Sequence, residues 1–279
     1  MRELLRLTPG EVDLTAWDTR ATPGFEGGKA EGRDALAALA PELADLQERL
    51  YAEGVAGSSR RVLLVLQGMD TSGKGGVVRH VAGLVDPQGL RVAGFGAPTA
   101  EELRHDFLWR IRRALPAPGR IGVFDRSHYE DVLAVKVRGL ADPTEVERRY
   151  GAINDFEAEL VAAGTPVLKC LLLISPDEQR ERLLARMDDP TKQWKVAASD
   201  LEDRARWSAY REAYEVALRR TDTEVAPWYV VPADRKWYRN LAVATLLRET
   251  LAQMAPAWPP AVVDVADLRR RLLDEDPVA

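Results

Sequence analysis

The chain has 279 residues, and 39 Lys and Arg stand against 44 Asp and Glu for a net charge of −5, which excludes binding of nucleic acid or a membrane surface through bulk positive charge and requires any anionic ligand to be held locally. At 46% hydrophobic and 30% charged it has enough apolar residues for a sizeable core, which excludes disorder for the bulk. The single Cys170 excludes a disulfide framework and a cysteine-held zinc site; no apolar stretch approaches the roughly 18 residues of a membrane span, and Met1-Arg-Glu-Leu-Leu-Arg6 lacks a signal-peptide core, so a cytoplasmic protein is expected.

A prior of about 150 residues per domain would allow two units, yet open α/β sheets with insertions reach this length as one, and one is expected. Met1 to Arg33 is punctuated by Pro9-Gly10, Pro23-Gly24 and Gly27-Gly28 and reads as an extended arm with turns, wrapping a surface. Ala35 to Tyr51 places Leu36, Leu39, Leu43, Leu46 and Leu50 at helical spacing, with Pro41 as a point for a kink or a restart. Arg61 to Gln67 is a short apolar run without polar alternation, the pattern of a strand covered on both faces. The alternation continues with strands near Leu90 to Phe95, Arg120 to Asp125, Pro166 to Ile174 and Trp228 to Val231. Helices are expected near Lys74 to Leu84, Ala100 to Ala114, Thr144 to Ala163, Pro176 to Arg186, Leu201 to Arg220 and Lys236 to Met254. This is an α/β chain, a parallel sheet flanked by helices, and chemistry belongs at the carboxyl ends of its strands. Cys170 falls inside the fourth strand and reads as core. Pro256 to Pro260 separates the last core helix from a charged segment, Asp264 to Asp276, with helical character.

Gly68-Met69-Asp70-Thr71-Ser72-Gly73-Lys74 matches the spacing G-x-x-x-x-G-K directly after a predicted strand and before a predicted helix. Glycines let the backbone curl so that successive amide N–H groups face a phosphate, and Lys74 supplies a point charge. Gly75 follows, where nucleotide triphosphatases usually place a Ser or Thr whose hydroxyl holds magnesium. Asp70 inside the loop would repel bare phosphate unless a divalent metal sits between them, so it is a candidate metal ligand; a turn-stabilising role fits it as well. Arg79, further along the helix, is another candidate phosphate contact.

Asp125 ends a predicted strand and heads Asp125-Arg126-Ser127-His128-Tyr129-Glu130-Asp131, the position of the second magnesium-holding acid in phosphate-loop proteins. The guanidinium fork of Arg126 suits bidentate phosphate contact, and Glu130 and Asp131 are placed to orient a cation or a substrate. Ser127 with Glu130 three residues on also spells a helix capping box, and His128 without a partner reads as structural. Downstream, Arg180, Arg182, Arg186, Lys192 and Lys195 run from a helix into a loop broken by Pro190 and resemble a lid whose cations close over a transferring phosphoryl group. For Arg180 and Arg182 a solvated helix face is the competing reading. Trp228, Tyr229, Trp237 and Tyr238 read as core anchors, while Arg235 and Lys236 stand at a strand end where an anion path would run.

The segments Thr22-Pro-Gly-Phe25, Leu63 to Lys74, Phe107-Leu-Trp-Arg110, Asp125 to Asp131, Asp189-Pro-Thr-Lys-Gln-Trp-Lys195 and Trp228 to Tyr238 together resemble the second family of polyphosphate kinases. The resemblance implies a thymidylate kinase-like fold, with residues 1–55 as arm and helix packed on the core, 56–258 as a phosphate-loop kinase core carrying a lid at about 180–200, and 259–279 as a tail. It implies magnesium, with manganese as a substitute, held by Asp70 and Asp125, and catalytic roles for Asp70, Lys74, Asp125 and Arg126, to which the lid reading adds Arg186. The implied substrates are inorganic polyphosphate and AMP, ADP and ATP, with guanine nucleotides as further acceptors, and a homodimer or homotetramer is implied; no nucleic acid or membrane partner is expected. The tetrad His128-Tyr-Glu-Asp131 is similar to that of the subgroup accepting both nucleoside mono- and diphosphates. An NTP-dependent nucleoside monophosphate or metabolite kinase is the rival, and it would usually carry the hydroxyl that Gly75 lacks.

Overall fold

The computed structural model describes residues 1–8, 10 and 12–275, so the expected turn at Pro9-Gly10 and the expected helix end at Asp276 lie partly outside the described residues. The N-terminal arm is more structured than its turn residues suggested. Arg2–Leu5 form a helical turn (α1), Arg6 bridges antiparallel to Tyr229, and Leu5, Leu7 and Leu14 are buried. Burying three leucines against an existing core outweighs local turn preference. The following helix, Lys29–Val55 (α2), begins well before Ala35 and continues through Pro41 without a break. Glu31 sets its start by accepting a hydrogen bond from the Gly28 N–H at 3.1 Å.

The expected alternation follows: Val62–Gln67 (β1), Lys74–His80 (α3), Leu90–Gly94 (β2), Trp109–Ala114 (α4), Ile121–Asp125 (β3), Ala134–Val137 (α5) and Pro143–Ala162 (α6). Then come Val167–Leu173 (β4), Pro176–Asp188 (α7), Ala198–Ala205 (α8), Trp207–Thr221 (α9), Trp228–Pro232 (β5), Lys236–Met254 (α10) and Val265–Asp274 (α11). Three expected helices differ: the one at Lys74 to Leu84 ends at His80 and is followed by a 3-10 turn at Ala82–Leu84. The Ala100 to Ala114 segment holds only a 3-10 turn at Glu102–Arg104 and the short α4, because the Asp106 carboxylate accepts from the Leu108 N–H (2.9 Å) and starts a fresh turn there. The Leu201 to Arg220 segment is two helices meeting at Arg206; Asp203 just before the break is held by Arg138 at 2.7 Å and by the Tyr210 hydroxyl at 3.0 Å.

Among the described residues the five strands are all parallel, in the order β2-β3-β1-β4-β5. Val62, Leu64 and Leu66 face a core shared with α2, α3 and α10, whereas Leu63 and Val65 face the opposite core, to which α4, α6 and α9 contribute. Both faces being covered is why the strand is apolar at successive positions. Registry pairs Leu66 with Asp125 on one side and with Cys170 on the other, so the loops leaving β1 and β3 emerge at one level. The strand order switches sides at β1, with β3 and β2 on one side and β4 and β5 on the other, and such a switch point is where open α/β sheets bind ligands.

Candidate active site

The loop after β1 has the backbone that its glycines permit: Gly68 lies at φ +147° and Gly73 at +105°, both in a region that L side chains rarely adopt. A Cβ on Gly73 would also strike the Arg239 guanidinium. Lys74 is buried, and its ammonium donates to the carbonyls of Gly68 (2.7 Å) and Met69 (3.3 Å). Burial, seconded by the positive charge of Arg126, lowers its pKa, against the opposing pull of Asp70, Asp125 and Glu130. At Gly75 a Cβ would meet nothing within 4 Å, so the missing hydroxyl is not a matter of space.

Two buried arginines back the loop. Arg182 donates to the carbonyls of Thr71 (2.8 Å), Ser72 (3.2 Å), Ala233 (2.7 Å) and Asp234 (2.9 Å), and its Nε pairs with Glu178 at 2.7 Å. The sequence left Arg182 between a lid cation and a solvated face; it is placed as neither, but as a clamp tying the phosphate loop to the end of β5. Arg239 of α10 donates to Ser72 O at 3.3 Å, and burial together with the nearby Arg182 lowers its pKa to about 10. Sequence reasoning missed Arg239; the polar pair Arg239-Asn240 directly before the apolar run Leu241-Ala-Val-Ala244 was the available signal. Gln179 was missed too, and its amide holds Asp70 O at 3.2 Å.

At the end of β3, Arg126 adopts φ +65° and donates to Asp70 Oδ1 at 2.6 Å while approaching Glu130 at 3.6 Å. Burial works against its charge, but Glu130 and Asp70 overcome this and raise its pKa. The tetrad after Ser127 divides. Glu130 alone faces the loop; burial raises its pKa despite Arg126 and Lys74. Its carboxylate does not close the expected capping box: with the Gln67 amide oriented to satisfy both its ends, that amide donates to Glu130 (3.1 Å) and accepts from the Ser127 N–H (3.2 Å). Asp131 turns away to Arg110 (3.1 Å) and Arg149 (3.7 Å).

His128 and Tyr129 point into the core, where Glu157 accepts from the Tyr129 hydroxyl (2.8 Å), meets His128 Nε2 (3.1 Å) and pairs with Lys169 (2.7 Å). Lys169 also donates to Thr221 O at 2.7 Å and is fully buried in β4. The structural reading of His128 agrees with this placement. The Lys169–Glu157 pair was missed, although one lysine within the run Val167 to Ile174 is a visible anomaly. Cys170, Trp228 and Tyr238 are buried as expected.

The lid cations stand along α7 and the loop beyond it. Arg186 donates to Lys195 O at 3.2 Å and lies 3.5 Å from Asp200; Lys192 pairs with Asp189, and Lys195 covers the Trp194 ring at 4.9 Å. Arg180, Lys192, Lys195, Arg235, Lys236 and Arg79 are exposed. Burial and Arg182 lower the pKa of Lys236, and Lys192 adds to this, so cations from the lid and from the end of β5 share one edge of the site.

No group of three or more His, Cys, Asp or Glu side chains among the described residues is arranged to hold a metal ion. The donor chemistry nonetheless fits magnesium, which keeps waters and usually takes one or two protein carboxylates plus substrate phosphates rather than a full protein cage. Asp70 and Asp125 both act on Lys74 and Arg126 and are the two carboxylates that would hold it.

The model of the family described as Polyphosphate kinase 2 (PPK2) matches residues 27–258. The chain is 49% identical over 250 residues to the AMP/ADP-polyphosphate phosphotransferase of Meiothermus ruber, covering 90% of this chain and 92% of that protein. It is 43% identical over 267 residues to the ADP-polyphosphate phosphotransferase of Rhodopseudomonas palustris, covering 91% of each. The crystal structure of polyphosphate kinase 2 from Arthrobacter aurescens TC1 superposes with a TM-score of 0.94 at 52% identity, covering 98% of this chain and 96% of that one.

Proposed function

The chain belongs to the polyphosphate kinase 2 family, and from that footing we propose that it moves phosphoryl groups reversibly between inorganic polyphosphate and nucleoside mono- and diphosphates, AMP to ADP and ADP to ATP. The observation that carries this reading is the near full-length similarity to a relative named for both AMP and ADP.

The acceptor is a nucleotide phosphate oxygen that is already anionic at neutral pH, so no strong general base is required. A bond forms between that oxygen and the terminal phosphorus of polyphosphate, and the bond from that phosphorus to the bridging oxygen breaks, leaving the polymer one unit shorter. The protein supplies alignment and charge neutralisation. The amides of Gly68, Met69, Thr71, Ser72, Gly73 and Gly75 and the Lys74 ammonium cradle the phosphates. Arg126, held by Asp70 and Glu130, contacts the transferring group, and Arg186 closes over it with Lys192 and Lys195. Magnesium, or manganese in its place, held by Asp70 and Asp125, would neutralise phosphate charge when bound. Arg235, Lys236 and the lid lysines offer a linear polyanion a local basic track in a protein whose net charge is negative. Arg182 serves indirectly here, by fixing the loop carbonyls, and Asp131 by fixing the turn that carries Glu130. Guanine nucleotides as further acceptors, assembly as a homodimer or homotetramer and a cytoplasmic setting complete the reading.

Purified protein given magnesium, polyphosphate and AMP without ATP is expected to accumulate ADP and then ATP. ADP alone would remove the second acceptor; no product from either AMP or ADP, with turnover when ATP is the donor, would favour the NTP-dependent kinase.

A further inference from the structure

Besides Arg126, a second side-chain-bearing residue of the site holds a left-handed backbone: Thr71, at φ +63°. A β-branched residue keeps that conformation only where its surroundings over-determine it. Two side chains three residues apart on α7 do so. Gln179 Nε2 donates to Asp70 O at 3.2 Å and Arg182 Nη1 donates to Thr71 O at 2.8 Å, so the peptide groups on both sides of Thr71 are held. The grip on the first of them also fixes the point from which the Asp70 carboxylate reaches Arg126.

Gln179 is 1% exposed, and both ends of its amide are used. Its Nε2 meets a carbonyl, which only accepts, and its Oε1 accepts at 3.0 Å from the Arg204 guanidinium, which only donates; turning the amide over would lose both contacts. Arg204 stands on α8 and also donates to Pro176 O at 2.7 Å. The helix α8 buries Asp200 and leaves Leu201 exposed; Arg138 holds its Asp203 at 2.7 Å, and Arg186 lies 3.5 Å from its Asp200. An element held by polar contacts, with little apolar burial, opens at low free-energy cost. Gln179 thus stands between a helix fitted to shift with the lid and a loop whose left-handed backbone has to be held.

We infer that Gln179 is a positioning residue for Asp70: through Arg204 it passes the placement of α8 to the peptide group before Thr71, and so sets where the Asp70 carboxylate stands. The inference rests on the reading of Asp70 as a magnesium ligand, and it goes beyond that reading by making the metal site depend on the lid. Residues that orient a metal ligand typically change metal affinity by about 10- to 100-fold when replaced. Both polar ends of Gln179 are spent on the protein, so its loss leaves the loop amides and Lys74 free to bind phosphate as before.

The test is titration of the full chain with manganese, followed by the EPR signal of the free ion, beside calorimetric titration with tripolyphosphate in the absence of metal. Asp70→Asn, expected to weaken manganese binding, checks the premise. Gln179→Met, which keeps the length of the side chain and loses both contacts, is expected to weaken manganese binding by about 10- to 100-fold while tripolyphosphate binding stays close to wild type. Arg204→Met, at a half-buried position, is expected to weaken manganese binding in the same direction by less, and it decides the matter should Gln179→Met fail to fold. Wild-type manganese affinity in Gln179→Met, with Asp70→Asn weakened, would overturn the inference. So would parallel losses of manganese and tripolyphosphate, since Gln179 would then only support the loop, or an Arg204→Met variant indistinguishable from wild type, since α8 would then have no part. Unchanged manganese binding in Asp70→Asn would instead overturn the metal reading, and the inference with it. The two failures are therefore read on different variants, and neither depends on the product assay.

Discussion

Arg126 donates to the Asp70 carboxylate at 2.6 Å from a backbone held in the left-handed region, at φ +65°. The two residues are brought together from the ends of adjacent strands, and the conformation that aims the guanidinium at the phosphate loop is one that a side chain disfavours by about 1–2 kcal/mol. Arg126→Ala and Arg126→Gly remove the same cation, so both are expected to lower kcat by about 10²-fold or more. The Gly variant should be the more stable of the two by about 1 kcal/mol in denaturant melts. The reverse order of stability would mean that the backbone there is not strained.

Asp70→Asn keeps the shape of that contact and removes the charge. If Asp70 holds magnesium, the variant needs a higher magnesium concentration for half-maximal rate and turns over more slowly. A wild-type magnesium titration curve in this variant would remove Asp70 as a ligand.

Arg186 holds the carbonyl of Lys195, on the segment expected to close. Arg186→Ala should lower kcat by more than it raises KM for nucleotide, because its contact to the transferring group forms chiefly in the transition state. Steady-state kinetics showing a change in KM alone would assign it to ground-state binding.

Arg180 and Arg182 are two apart in sequence yet on different sides of α7: the first is exposed, and the second donates to four carbonyls. Arg182→Ala leaves buried acceptors unpaired and should cost on the order of 3 kcal/mol in urea unfolding, and Arg182→Lys should not restore it, since an ammonium lacks the planar fork. Arg180→Ala should stay within about 0.5 kcal/mol. Comparable losses at the two positions would contradict the clamp.

Burial pushes the Cys170 thiol up to about 12 from 9.0. The folded chain keeps a proton that the unfolded chain releases, so this contribution to stability is whole below pH 9 and declines as pH rises from there toward 12. Unfolding free energy should fall less between pH 9 and pH 11 in Cys170→Ala than in the wild type. At pH 8 iodoacetamide should leave the native protein unmodified and label it fully in denaturant; rapid labelling of the native form would mean that β4 opens readily.

Short-range features were legible from the amino-acid order. The strand β1, the glycine-shaped loop behind it, Lys74 and the acid at the end of β3 all announce themselves within a few residues, because a doubly covered strand must be apolar throughout and a phosphate-facing turn requires glycine. The helix α10 was placed at its observed ends for the same reason. Helix breaks were less legible: the interruptions near Asp106 and Arg206 depend on a single side chain competing with the helix backbone, which periodicity does not register. The site's supports were not legible at all. Arg182 and Arg239 converge on Ser72 from α7 and α10, Lys169 meets Glu157 and Tyr129 across two elements, and Gln179 joins Asp70 to Arg204 of α8. Sequence alone determined which chemistry the chain carries, since that is written in local motifs; only the tertiary structure decided which cations stay exposed and which hold the loop, because a buried guanidinium and an exposed one are the same letter until distant carbonyls are brought within hydrogen-bond reach.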